Sequence, residues 1–434
     1  MGTPDNCVQL YRNWAVSGIT TASSGLIAYN RPMTSNHLGG PLAGMRVLEL
    51  GNFIAGPFAG QLLGDYGAEV LKVETPGEGD PMRTWGLTHQ GEGLWWPAIA
   101  RNKKSVAVDL HRPEGRALVS RLAGACDVVL ENFRPGRLEE WGLGYEDLAR
   151  HHPGVIVVHV SGFGQSGPRS ADAGFGSIGE AMGGVRATTG DPDRPPARCG
   201  ISLGDALAAL FAVIGCLAAV TERQRSGKGQ EVDVAIYEAV AALMESMLAD
   251  FEIGGVLRSR TGGVLPGVAP ANSYPTLDGL DVLIAGNADS VFARLCTAMG
   301  RADLADDERF ASHTARGTNM VELDQLIARW TATVSSGDLL ALLSSHGVPS
   351  GRVYTAADVV NDPHYAARDM VVRAVSRAGY SVPMAGVVPK FSRTPGAVID
   401  VGPRLGEHTE QVLRALADVD DTEWATLVAS GTVA

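Results

Sequence analysis

Arg46-Val-Leu-Glu-Leu50, Ala59-Gly-Gln-Leu-Leu-Gly-Asp65 and Glu69-Val-Leu-Lys-Val73 follow one another closely in the chain and read as a buried strand, a helix and a second buried strand. Short apolar runs bounded by Gly and polar residues are strand signals, while the intervening segment carries helical spacing. The pattern then repeats: Ser105-Val-Ala-Val-Asp109, Asp127-Val-Val-Leu130 and Val155-Ile-Val-Val-His159 read as further strands, separated by helices at about 113–125 and 144–152. Strands that alternate with helices return parallel to one another, so the expected fold class is α/β with a doubly wound parallel sheet.

Outward from this unit, two long helices are expected at about 204–225 and 235–252, joined by Ser226-Gly-Lys-Gly229. The Gly- and Pro-rich run Arg258-Ser-Arg-Thr-Gly-Gly-Val-Leu-Pro-Gly-Val-Ala-Pro270 interrupts the pattern and marks a boundary. A chain of 434 residues exceeds one ordinary core. The expected organisation is an N-terminal extension at 1–42, a large domain at 43–257, a linker and Gly-rich loop at 258–269, a smaller α/β domain at 270–369 and a tail at 370–434. The extension is either a tail or a start placed upstream of Met33 or Met45.

Charged residues at 19% and hydrophobic residues at 45% describe a soluble globular chain. The net charge of −12 argues against nucleic acid as a partner, because phosphate backbones demand a basic face. A few cations and helix N-termini still suffice to bind one phosphorylated cofactor. The apolar helix near 204–225 contains Gly215 and Cys216 and ends in Thr-Glu-Arg-Gln-Arg225, which reads as a buried core helix rather than a membrane span. With no basic-then-apolar leader pattern, the expected location is the cytoplasm. Five scattered cysteines and histidines without metal-ligand spacing imply reduced thiols and no metal site.

Two features carry chemistry. The glycines after the first strand, Gly51, Gly56 and Gly60, are five and four residues apart, which is not the G-x-G-x-x-G of a dinucleotide fold, although Glu74 imitates its ribose-binding acid. The second is Gly200-Ile-Ser-Leu-Gly-Asp205, which leaves one carboxylate at the mouth of an apolar helix. An Asp in a first helical turn accepts backbone N–H bonds and complements the helix dipole, so Asp205 is either a cap or a nucleophile.

From about residue 43 onward the chain resembles the class III coenzyme A transferases, the group of formyl-CoA transferase and alpha-methylacyl-CoA racemase. The resemblance is carried by Met45-Arg-Val-Leu-Glu-Leu-Gly51, Arg101-Asn-Lys-Lys-Ser-Val-Ala-Val-Asp-Leu110, Glu131-Asn-Phe-Arg-Pro-Gly136, Val160-Ser-Gly-Phe-Gly-Gln-Ser-Gly-Pro168, Ser202-Leu-Gly-Asp205 and Leu405-Gly-Glu-His-Thr409. It implies that Asp205 is the catalytic nucleophile and that coenzyme A, as acyl-CoA, is a substrate beside a small carboxylic acid. The expected CoA contacts are Ile54, Arg83, Arg101, Lys104, Val108, Asp109, His111, Asn132, Phe133 and Arg137, the arginines and lysine being suited to phosphate. It further implies a flap loop at Gly262 and Gly263, a tail that completes the large domain, and an interlocked homodimer.

Three positions depart from the family pattern. Ile54 is apolar where formyl-CoA transferase has glutamine, and His111 stands where many relatives have lysine. Gly176 stands where the racemase branch has an aspartate and formyl-CoA transferases a glutamate, which removes one member of an acid/base pair. Glu180, four residues on, could substitute, but is expected to be a partly exposed helix residue. An acyl-CoA racemase or lyase variant and a silent CoA-binding protein stay open as alternatives.

Overall fold

A computed structural model describes residues 39–434. The extension expected at 1–42 therefore lies, up to residue 38, outside the described residues. Six strands form one parallel sheet: β1 (Arg46–Glu49), β2 (Glu69–Glu74), β3 (Lys103–Ala107), β4 (Val128–Glu131), β5 (Ile156–Ser161) and β6 (Glu231–Ala235). Their order is β3-β2-β1-β4-β5-β6, so the chain winds outward in one direction from β1 and then returns to wind in the other. This is the doubly wound arrangement expected from the strand–helix alternation.

Alternate side chains of each strand enter opposite cores, as the two-residue period requires. Val47, Val70, Val128, Ile156 and Val158 pack under α1 (Ala55–Asp65) and α4 (Leu203–Ser226). Leu48, Leu71, Val129 and Val157 pack on the other side under α2 (Pro113–Gly124) and the C-terminal helices α6 (Thr409–Leu416) and α7 (Asp421–Ala429). Each of these buried side chains contributes roughly 1.5–3 kcal/mol. The tail is pinned to the sheet as well: Ala107 N–H donates to Thr409 Oγ1 at 2.9 Å, and Val108 bridges Val433.

Two helix readings need correction. The helix expected over 235–252 is instead α5 (Ile236–Ala241) and a separate turn of helix at Met247–Glu252, broken where Glu245 takes φ 53°. The residues just before it form β6, whose alternation Glu-Val-Asp-Val suits an edge strand. The helix expected to be a buried core element is only half buried. Ala208, Ala209, Ala212 and Cys216 of α4 face the sheet, small enough to let the helix sit close, while Leu210 and Ile214 are 44% and 60% exposed. By length and composition α4 could cross a membrane, the one such helix among the described residues, but its inner face belongs to the sheet's core.

Beyond the Gly/Pro-rich run, β7 (Ala271–Pro275), β8 (Asp281–Ala285) and β9 (Ser350–Arg352) form a separate antiparallel sheet. Its core is its own, built from Tyr274, Val282, Ile284, Phe292, Leu295, Leu323 and Leu339.

Candidate active site

In an open parallel sheet, the crevice for ligands forms at the C-terminal ends of the two strands from which the winding diverges. Here those strands are β1 and β4. Asn132, the first residue after β4, clamps the chain leaving β1: the Asn52 N–H donates to Asn132 Oδ1 at 2.8 Å, and Asn132 Nδ2 donates to the Asn52 carbonyl at 2.8 Å. Gly51 permits this approach, since a Cβ there would stand 2.4 Å from Asn132 Oδ1. The turn continues through Phe53, held at φ 64° with its N–H 3.2 Å from Asp80 Oδ1, and Ile54 takes the N-cap position of α1. Above this turn opens a cavity of about 300 Å³ lined by Asn52, Phe53, Ile54, Asn132, Phe133, Phe175 and Asp205.

Asp205 reaches the cavity from the first turn of α4. Burial, with the charge of Glu180 adding to it and that of Arg198 opposing it, pushes its carboxyl up to about 6. No side chain of the described residues donates a hydrogen bond to it. Its carboxylate is thus partly desolvated and binds a proton more tightly than an ordinary Asp does.

Gly176 begins α3 (Gly176–Met182) directly against this carboxylate: a Cβ on it would lie 2.1 Å from Asp205 Oδ2. A side chain at 176 would require the Asp205 carboxylate to move from this position. Glu180 is not the partly exposed helix residue expected, being 1% exposed. Its carboxylate is held by Arg186 at 2.8 Å and accepts the Gly204 N–H at 3.3 Å. The helix seam between α3 and α4 buries it, which no helical periodicity in the sequence could reveal.

The remaining expected residues divide into two groups. Val108, Asp109 and His111 lie just beyond the C-terminal end of β3, and Asn132 and Phe133 beyond that of β4. His111 packs edge-on against Trp141 with centroids 6.2 Å apart, Phe133 does so at 5.2 Å, and the Arg137 guanidinium lies 5.6 Å from the same ring. Together they make an aromatic and basic ledge next to the crevice. Trp141 was not singled out from the sequence, because a lone Trp in a polar stretch carries no periodic signal.

Three expected contacts are placed elsewhere. Arg101, 3% exposed, is locked bidentate onto Asp65, with Nε and Nη2 at 2.9 and 2.6 Å. Lys104 pairs with Glu69 at 2.6 Å. Both stand at the N-terminal end of β3, the opposite edge of the sheet from Asp205, because residues that precede or open a parallel strand face away from the crevice. Arg83 is at the correct edge, but it is bidentate to Glu74 at 2.7 Å, donates to the Pro403 carbonyl and stacks 3.8 Å over Trp96. Its donors are engaged within the fold. Gly262 and Gly263 do not line the cavity; the Gly262 N–H donates to the Gly190 carbonyl at 3.0 Å, on the loop that leads towards α4.

Residues 42–409 match the family described as CoA-transferase family III. The chain is 54% identical over 398 residues to a succinyl-CoA–D-citramalate CoA-transferase of Chloroflexus aurantiacus, covering 92% of this chain and 99% of that one. It is 37% identical to a succinate–glutarate CoA-transferase of Agrobacterium fabrum, covering 88% and 97%. Among solved structures, a CAIB/BAIF family protein from Brucella suis superposes with a TM-score of 0.77 at 37% identity, covering 87% of this chain and all of that one.

Proposed function

The chain belongs to CoA-transferase family III, and from that premise we propose that it exchanges CoA between dicarboxylic acids through a covalent adduct on Asp205. It is an acyl-CoA:carboxylate CoA-transferase, and the reaction returns one free acid and one new thioester for each pair consumed. The Asp205 carboxylate attacks the donor thioester carbonyl, expelling CoA thiolate and leaving an aspartyl mixed anhydride. The thiolate then attacks the aspartyl carbonyl, releasing the donor acid and forming an aspartyl-CoA thioester. The acceptor carboxylate attacks that thioester to give an acyl anhydride and thiolate, and thiolate attack on the acceptor's carbonyl restores Asp205. Every intermediate keeps an activated acyl bond, thioester or anhydride, so the transfer is divided into easier steps without losing the thioester's energy to hydrolysis.

The observation that carries this reading is the placement of Asp205: an underpartnered carboxylate, pushed up to about 6, in the crevice where the sheet winding diverges. A dicarboxylate pair, with succinyl-CoA as donor, follows the substrates named for the relatives above. For CoA, the supporting feature is the ledge of His111, Phe133, Arg137 and Trp141, which offers ring faces for a base and a guanidinium for phosphate. The chain's assembly is read as a homodimer. Leu210 and Ile214 on α4, with Leu248, Phe251, Ile253 and Leu257, form exposed apolar surface that a second copy would cover.

Mass-detected exchange from succinyl-CoA to a panel of mono- and dicarboxylates tests the reaction. Dicarboxylates should accept CoA and the protein should gain the mass of a CoA thioester on the peptide containing Asp205. Transfer to monocarboxylates alone, or an adduct on another residue, would overturn the respective part. Light scattering at micromolar concentration should give twice the chain mass.

A further inference from the structure

Gly176 and Glu180 stand one turn apart on α3 and both meet the first turn of α4. The bare Cα of Gly176 lets Asp205 Oδ2 come close, and Glu180 reaches one residue back, to the N–H of Gly204. That N–H is one of the orphan donors at a helix start. Ser202, in the capping position of α4, makes no side-chain capping bond, so the acceptor comes from the neighbouring helix instead. The Glu180 carboxylate is nine-tenths or more buried and is fixed on its other oxygen by Arg186.

We propose that Glu180, held by Arg186, is a positioning residue for Asp205: it sets the first turn of α4 so that Asp205 points into the crevice, and its negative charge keeps Asp205 a strong nucleophile. This rests on the reading of Asp205 as the attacking group. Two carboxylates share the start of α4, and the cation closest bound, Arg186, is bonded to Glu180 and not to Asp205. The other charged groups around Asp205 are Arg198, exposed and 3.5 Å from Ser202 Oγ, and Arg134 and Asp172, which line the same cavity. After burial, Glu180 is the principal influence disfavouring ionisation of Asp205. A carboxylate of higher proton affinity is also the better nucleophile once ionised, so the charge raises reactivity at the cost of acid sensitivity.

The test is the pH dependence of kcat/KM for CoA exchange in the wild type, Glu180→Gln and Arg186→Gln. Exchange needs ionised Asp205, so wild-type activity falls as pH drops through about 6. Glu180→Gln keeps an acceptor for the Gly204 N–H but removes the charge. Its acid limb should move down by about half a pH unit or more, with maximal kcat lowered and the acyl-CoA KM within about twofold of wild type. Arg186→Gln leaves the Glu180 charge uncompensated and should move the limb up. An acid limb in Glu180→Gln that coincides with the wild type, or both variants shifting the same way, would overturn the proposal. If Glu180→Gln does not fold, Arg186→Gln decides alone, and an unmoved or lowered limb counts against it. Exchange that survives Asp205→Ala would sink the nucleophile itself. An inactive Asp205→Ala beside an unmoved Glu180→Gln limb would sink only the role of Glu180.

Discussion

Glu49 on β1 and Asp205 at the start of α4 are both acids in the large sheet domain, yet their surroundings differ in kind. Glu49 is fully buried and lies 3.0 Å from Lys72 and 2.8 Å from Lys103, and Lys72 in turn holds Asp80 at 2.8 Å. Burial lowers Lys103 to about 8, with Glu49 opposing that effect. Among the described residues Asp205 has no side-chain donor, the charge of Glu180 in the helix seam opposes its ionisation, and its own proton affinity rises. The difference teaches how to read buried charge: where every charge has a partner the cluster holds backbone in place, here the Gly51 carbonyl and the Phe53 N–H that shape the crevice floor. Where a carboxylate is left underpartnered at a cavity, it is available for chemistry.

Five substitutions break or sharpen this contrast. Asp205→Ala should lower CoA exchange by about 10⁴-fold or more while acyl-CoA binding, followed by calorimetry, changes only a few-fold. Residual turnover within about tenfold of wild type would return Asp205 to a capping role. Glu49→Ala leaves two buried ammonium groups facing each other without their shared anion, which costs about 3–5 kcal/mol. Urea unfolding measures it, and a loss below about 1 kcal/mol would mean that the cluster does not hold the fold.

Asp205→Asn should do the opposite to stability. The folded carboxyl lies at about 6 and the unfolded one at the ordinary 3.8, so the native state keeps a proton that the unfolded chain has lost between those values. Ionising it in place destabilises the fold by about 3 kcal/mol, fully above pH 6 and not at all below pH 3.8. The neutral variant should therefore be inactive but more stable at pH 7.5, with the gain vanishing near pH 4; equal stability at pH 7.5 would place Asp205 in a well-solvated setting. The smallest effect separates the two edges of the sheet. Trp141→Ala should raise the acyl-CoA KM roughly tenfold, the worth of one stacked base, whereas Lys104→Ala should leave it within about twofold. The reverse result would move the CoA site to the other edge.

Much of the fold was legible because burial on both faces of a parallel strand writes itself as Val- and Leu-rich runs, and five of the six strands were read that way. β6 escaped because an edge strand with polar alternation looks like the start of the following helix. In the candidate site, Asp205, singled out by its motif, lines the cavity, and His111, Phe133 and Arg137 are brought together as their positions after β3 and β4 require. Arg101 and Lys104 stand away from the crevice: a basic residue in a motif reads as a phosphate ligand, while the direction of its strand puts it at the far edge.

The amino-acid sequence by itself determined the strand–helix alternation, the parallel winding and the one acidic residue in α4's own first turn, Asp205, since these depend on residue type and local spacing. The tertiary structure alone decided which charges are neutralised and which are left free. Asp65 meets Arg101 and Glu180 meets Arg186 and Gly204 only once helices and strands have packed. The reason is physical: local sequence sets backbone conformation, but desolvation and Coulomb energy depend on groups brought together from distant parts of the chain, and those two terms raise the proton affinity of Asp205.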